Sequence, residues 1–180
     1  MKIISVGRAH WKKGYGYALD AMKFLKEADI DFRNSIIGLQ ENEELLFQRS
    51  DLDLNDKVKF LPRLKFKDVI NKIHMADILL LPSIEEGIAN VALEAMAVGT
   101  LVVSTDCGGM NEVINDGQNG FIVPVRNYEA MAKKIQVICN LTHDEYITIT
   151  NEARKTIEND FGVEQMKSNM KSLYKKVVNL

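Results

Sequence analysis

Glu86 and Glu94 stand with seven residues between them in the run Glu85-Glu86-Gly87-Ile88-Ala89-Asn90-Val91-Ala92-Leu93-Glu94. A carboxylate on a helix can accept hydrogen bonds from two neighbouring hydroxyls at once. Gly87 lets a ligand come close to the backbone, and the first free N–H groups of a helix donate to hydroxyl or phosphate oxygens. Were the run helical throughout, the eight-residue step would span about 12 Å. A helix glutamate is most often solvated, and that reading stands for Glu85. Around Glu94 the residues Leu93, Ala95, Met96 and Ala97 are small or apolar. A carboxylate there is either paired or awaiting a ligand, and the ligand is favoured.

A second stretch supplies cations: Gly7-Arg8-Ala9-His10-Trp11-Lys12-Lys13-Gly14. Arginine offers a planar fork to phosphate oxygens and lysine a mobile point charge. Cations at a helix start oppose the macrodipole, so the presence of Lys12 and Lys13 there suggests an anion nearby. Lys12 reads as a solvent charge and His10 as a loop residue, while Trp11 is expected to pack across the helix entry. A third stretch, Ser104-Thr105-Asp106-Cys107-Gly108-Gly109-Met110-Asn111-Glu112, sets a Gly108-Gly109 turn between a strand and a helix. Asp116 to Gly120 is turn chemistry before a strand.

The elements that must position these groups alternate. Runs rich in Ile, Leu and Val at Lys2–Val6, Arg33–Gly38, Lys57–Leu61, Asp77–Pro82, Thr100–Thr105 and Gly120–Pro124 read as strands buried on both faces. Helical spacing marks Ala18, Ala21, Met22, Leu25; Val69, Ile70, Ile73, Ala76; Val91, Ala92, Ala95, Met96; and Met131, Ile135, Ile138. This order predicts a Rossmann-like three-layer α/β domain with a six-stranded parallel sheet and helices on both faces. The core runs over 1–140. The tail, 143–180, is expected to form two helices broken near Asp160-Phe161-Gly162 and to pack back on the domain. Such sheets bind ligands beyond the carboxyl ends of their strands, which selects the loops after Val6, Pro82 and Thr105.

Composition excludes several classes. With 23 basic and 25 acidic residues the net charge is −2, against general nucleic-acid binding. No apolar run approaches a bilayer span, and the start, Met-Lys-Ile-Ile-Ser-Val-Gly, reads as a strand and not as a signal peptide. A cytoplasmic protein is expected. Cys107 and Cys139 lack metal-ligand spacing and read as reduced structural residues. Asp29-Ile30-Asp31 and Asp51-Leu52-Asp53 sit in polar stretches between elements, and no metal or other cofactor is expected. The first strand is not followed by Gly-x-Gly-x-x-Gly, which sets a dinucleotide dehydrogenase aside.

The Glu-(seven residues)-Glu motif with Gly-x-x-Asn after the first Glu resembles the signature of family 4 retaining glycosyltransferases (glycosyl transferases group 1), enzymes of the two-domain GT-B architecture. The resemblance runs from about Lys2 to about Ala132 and extends to the Gly-Arg-(four residues)-Lys-Gly element and to Gly-Gly-x-x-Glu. It implies that the chain is the C-terminal, donor-binding domain and that the N-terminal acceptor domain is a partner in cis or in trans. Arg8 and Lys13, after Gly7, would grip the diphosphate of a UDP or GDP sugar. Glu86 and the backbone of Gly87, Ile88, Ala89, Asn90 and Val91 would hold the hexose, Glu94 the ribose, and Gly108 and Gly109 would lie near the sugar and pyrophosphate. The 12 Å step fits the reach from hexose to ribose. Pro62, Arg63 and Leu64 are the candidates for the base pocket. Gly38-Leu39-Gln40-Glu41 departs from the family's Gly-x-Gly-Pro turn. The implied reaction transfers a hexose with retention to a saccharide or lipid-linked acceptor in polysaccharide synthesis, with the full-length enzyme cytoplasmic or peripheral to the inner face of the membrane. Arg8, Lys13 and Glu86 would carry catalysis, and the isolated domain would be largely inactive. Alternatives are a non-catalytic nucleotide-sugar or assembly module and a GT-B epimerase fragment.

Overall fold

The computed structural model describes residues 1–39 and 42–178. Six strands, β1 (Lys2–Val6), β2 (Arg33–Ile37), β3 (Val58–Leu61), β4 (Ile78–Leu81), β5 (Leu101–Thr105) and β6 (Phe121–Val123), form one sheet in the order β3-β2-β1-β4-β5-β6. Every adjacent pair is parallel. The helices are α1 (Tyr15–Glu27), α2 (Glu43–Asp51), α3 (Phe66–His74), α4 (Asn90–Ala97), α5 (Tyr128–Cys139), α6 (His143–Asp160) and α7 (Val163–Val178).

Alternate residues of each strand enter opposite cores. Ile3, Ile36, Val58, Leu80 and Val103 meet Ala18, Leu19, Met22 and Leu25 of α1 and Met131 and Ile135 of α5. Ile4, Ile37, Leu79, Leu81 and Val102 meet Ile73 of α3, Ala92, Ala95 and Met96 of α4, and Ala153 of α6. All residues of β4 and β5 are buried. That explains why β4 reads as an unbroken apolar run and β5 as a nearly continuous one that ends in Ser104 and Thr105.

Two elements differ from the sequence expectation. Helix α2 is not among those the apolar spacing marks, because it has no fully buried residue; only Leu45 packs partly against the core. The tail divides into two helices as expected, but only α6 packs back. Thr142 opens α6 with a capping box, and Ile149, Thr150 and Ala153 are buried. Helix α7 has no buried residue, and Val163, Met166, Met170, Leu173, Tyr174 and Val177 are exposed at spacings of one, three and four. The break at Gly162 ends the contact, so the expected packing fails for α7. The departure at Gly38-Leu39-Gln40-Glu41 falls partly outside the described residues, since Gln40 and Glu41 are not among them.

Candidate functional site

The order of connection reverses at the β1–β4 pair: from β1 the connections run outward to β2 and β3, and from β4 they run the other way to β5 and β6. Crevices at such switch points bind ligands. The loops after β1 and β4 carry the predicted cations and the first glutamate, and the structure brings them together. The Lys13 ammonium pairs with a Glu86 carboxylate oxygen, with side chains only 22% and 24% exposed. Ser83 Oγ lies 3.4 Å from the same oxygen, and Thr105 of β5 donates from its hydroxyl to the Ser83 carbonyl. Lys12 and Glu85, both read as solvent charges, pair with each other at 2.7 Å on the surface, a contact of small energetic weight.

Backbone contacts hold the β4 loop from both sides. Gly14 has φ 63°, and a Cβ there would collide with the Pro82 carbonyl; Gly108 has φ 56°, and its Cβ would collide with the Glu86 carbonyl. Both conditions exclude side chains. Ile84 N–H donates to Lys12 O at 2.6 Å, and Ala89 N–H faces Met110 Sδ at 3.4 Å. Gly109 is the second residue of a 3-10 turn, Gly108–Glu112, and lies beside Ile88. Gly87 behaves differently. A Cβ there would meet nothing within 4 Å, and its φ lies outside the left-handed region. Neither packing nor backbone conformation asks for glycine at this position, so the open space above it is available to a ligand.

Helix α4 starts at Asn90, with Ala89 extended as its N-cap (φ −76°, ψ 113°) and no side-chain cap. Its first turn has no acidic residue, and its leading N–H groups have no intrahelical partners. The helical step therefore covers residues 90–94 and not the whole distance from Glu86, which corrects the 12 Å estimate. Glu94 lies in the second turn, half-buried, and burial raises its carboxyl above the ordinary range. Its carbonyl accepts from Val98 N–H at 3.2 Å, but among the described residues no hydrogen bond or salt bridge reaches its carboxylate. Arg8 is exposed just beyond Val6 and has no acidic partner among the described residues. Pro62 and Arg63 are exposed at the carboxyl end of β3, with Leu64 half-buried against the second core. Two strand spacings, about 10 Å, separate that end from β1.

Sequence reasoning missed Tyr15. It is 4% exposed, and a Cβ on Gly7 would lie 2.6 Å from its hydroxyl and 3.3 Å from Lys13 Cε. Burial, and then the negative charge of Glu86, push its phenol far above the ordinary range. Its position directly after Lys13-Gly14 was the available signal. Trp11 does not pack across the helix entry but is 63% exposed, and His10 caps the turn Trp11–Lys13. Cys107 is buried and Cys139 exposed, both free, so only Cys107 matches a structural role.

Both Asp-x-Asp strings lie at the amino end of the sheet. Asp31 pairs with Lys57 at 2.9 Å, and Asp53 with Lys26. Among the described residues no cluster of three or more His, Cys, Asp or Glu could hold a metal, and no helix is long and apolar enough to cross a membrane.

Comparison with known proteins follows this geometry. The model of the family described as "Glycosyl transferases group 1" matches residues 1–159. The chain is 33% identical over 183 residues to the putative colanic acid biosynthesis glycosyltransferase WcaL of Escherichia coli K12, covering 96% of this chain and 44% of the relative. It thus spans less than half the length of that protein. Among solved structures, it superposes on the C-terminal domain of the group 1 glycosyl transferase LpcC of Francisella tularensis with a TM-score of 0.77, 23% identity and coverage of 90% and 87%. Anabaena Alr3699/HepE, solved in complex with UDP, matches with a TM-score of 0.87 at 23% identity, covering 97% of this chain and 48% of that one.

Proposed function

The chain belongs to the glycosyl transferases group 1 family, the family 4 type of GT-B fold, and on that premise we propose that it forms the donor-binding half of a retaining hexosyltransferase. The observation that carries this is Gly87, a glycine that the protein's own packing does not require, beside the Lys13–Glu86 pair at the switch point. A hexose seated there meets the Glu86 carboxylate, the Asn90 side chain and the backbone from Gly87 to Val91. The diphosphate lies against Arg8 and Lys13, over the backbone of Gly7, Gly108 and Gly109. The ribose hydroxyls reach Glu94, and the base turns toward Pro62, Arg63 and Leu64.

The chemistry follows from charge. When the bond from the hexose anomeric carbon to the diphosphate breaks, negative charge grows on the leaving oxygen, and fixed cations lower that barrier. Lys13 is held at the site by Glu86 before any ligand arrives, so little reorganisation precedes its engagement with phosphate. Burial already disfavours charge on Glu94, and hydrogen bonds from two ribose hydroxyls would offset that cost. The acceptor hydroxyl enters on the face the diphosphate leaves, and no general base is assigned.

UDP is the first nucleotide to test, because HepE binds it in its solved complex, with GDP next. The name of WcaL supports an acceptor in polysaccharide synthesis, saccharide or lipid-linked. An N-terminal half, in cis or in trans, supplies most of the acceptor site, and without it the chain binds donor and transfers little.

The test is calorimetric titration with UDP, GDP and ADP in the absence of metal, on the wild type and on Lys13→Ala and Glu94→Ala. The expected result is saturable binding of one nucleotide, weakened by both substitutions. Folded protein that binds none of the three, or whose binding ignores both substitutions, overturns the reading.

A further inference from the structure

The chain has one tryptophan, and its indole stands in solvent. Trp11 is 63% exposed, so it forgoes one of the largest apolar burials a side chain can make. It is not on a loose tip. Lys13 N–H donates to His10 O at 2.9 Å and Gly14 N–H to Trp11 O at 3.1 Å. His10 Nδ1 accepts from Lys12 N–H at 3.3 Å, and Lys12 O is tied to Ile84 across the loop. The imidazole of His10 stacks on the indole, with centroids 5.8 Å apart and planes 28° from parallel. The Lys12 ammonium lies 5.6 Å from the indole centroid, held there in its pair with Glu85, so a large aromatic ring is fixed in place beside the Lys13–Glu86 loop with most of its surface still open to solvent.

Behind it lies a hollow of about 310 Å³, walled by Tyr15, Tyr17, Asn42, Glu44, Gln48 and Ile84. That volume is at the small end for ligand pockets, and an aromatic wall with a few fixed polar groups is their usual lining. The polar groups are oriented by structural bonds. Asn42 Oδ1 caps α2 by accepting from Leu45 N–H at 2.9 Å, which turns its NH₂ away as a donor. Gln48 Nε2 donates to Gly16 O at 3.1 Å and to Asp20 at 3.0 Å, which leaves Oε1 as an acceptor. Glu44 adds an exposed carboxylate. Sugar hydroxyls both donate and accept, and a pyranose presents one face of C–H bonds to an aromatic ring. A phosphate would meet Glu44 as a like charge.

We propose that Trp11 and this hollow are a saccharide subsite for the acceptor glycan, placed beside the hexose end of the donor. Its position rests on reading the Lys13–Glu86 site as the donor site: the hollow shares Ile84 and the Lys12–Ile84 hydrogen bond with the Glu86 loop, whereas the ribose and base lie toward α4 and β3. The sugar that stacks on Trp11 belongs to the acceptor's body and gives the donor half a direct grip on the acceptor.

Because Trp11 is the only tryptophan, its emission reports on this site alone. The experiment titrates the chain with the methyl glycosides of glucose, galactose, mannose and N-acetylglucosamine, with and without UDP, and follows emission and acrylamide quenching. At least one glycoside is expected to shift the emission saturably and to cut quenching twofold or more. By calorimetry, Trp11→Phe keeps that binding, Trp11→Ala weakens it tenfold or more, and Glu44→Gln weakens it several-fold while nucleotide affinity stays unchanged. Emission and quenching that ignore every glycoside up to about 100 mM, beyond the range of a specific site, overturn the proposal. A response to UDP alone also overturns it and assigns Trp11 to the nucleotide. Glycoside binding with no nucleotide binding keeps the subsite and sinks the donor reading instead.

Discussion

The two edges of the sheet carry similar residues under different conditions. At the amino edge, Asp31 in a loop and Asp53 in a turn are exposed and pair with Lys57 and Lys26. Those lysines hold both carboxyls below the ordinary range. At the carboxyl edge, Glu94 is half-buried without a partner among the described residues and its carboxyl is raised by burial, while Glu86 and Lys13 share a semi-enclosed pair. The acids of the amino edge are matched and wet, where pairing is worth little to the fold. Those of the carboxyl edge are drier, and Glu94 is unmatched at some cost to the fold, which is the environment the proposed donor site calls for.

Gly108→Ala should have the largest effect. It forces a Cβ into the Glu86 carbonyl at φ 56° and should destabilise by about 3 kcal/mol, read as a fall in Tm of roughly 6–12 °C. A neutral result would mean that the β4 loop is free to move and would erase the contrast between a clamped edge and a turn-lined one. Lys13→Met comes next and should weaken nucleotide binding by about 30–100-fold, the loss of a charged hydrogen bond. It should change Tm far less, and titration with salt-matched nucleotide separates the two effects.

Glu94→Gln sharpens the comparison through pH. With its folded-state pKa raised, Glu94 contributes stability that is complete below the unfolded carboxylate value, about 4.3, and drains away as pH rises through the higher folded value. The amide removes that drain, so Tm at pH 7 should rise by about 1–3 °C, with no gain at pH 4, while nucleotide affinity falls about tenfold. The smallest effect is expected from Asp31→Asn at the amino edge, with no resolvable change in nucleotide affinity or in Tm at ordinary salt, where exposed pairs are screened. A loss of nucleotide affinity there would mean that the edges are not separate.

The parallel sheet was legible because β4 and β5 are buried on both faces and so lose all alternation. The pairing of Lys13 with Glu86 was not, since the two stand 73 positions apart and meet only because β1 and β4 become neighbours at the switch point. The motif drew attention to both residues, but not to their contact. Helix α4 was placed correctly, but an unbroken helical step from Glu86 does not hold: the helix begins only at Asn90, after an extended Ala89 and bends at 84–85 and 87–88. Tyr15 drew no reading at all, and Trp11 was expected to pack across the helix entry; the tyrosine is inside and the tryptophan outside, on either side of a left-handed turn at Gly14 that periodicity does not register.

The β4 loop is gripped at Pro82 and at Glu86 by the bare backbone of Gly14 and Gly108. Neither grip involves a side chain of the loop it holds. Inheritance can therefore change the side chains between those two points, one by one, without shifting where the loop presents them. Each clamping glycine, by contrast, is a position from which almost every single-residue change leads downhill. Tolerance and fragility are thus divided between loops: a side chain can change on the held segment without moving its backbone, and can hardly be added on the two segments that hold it.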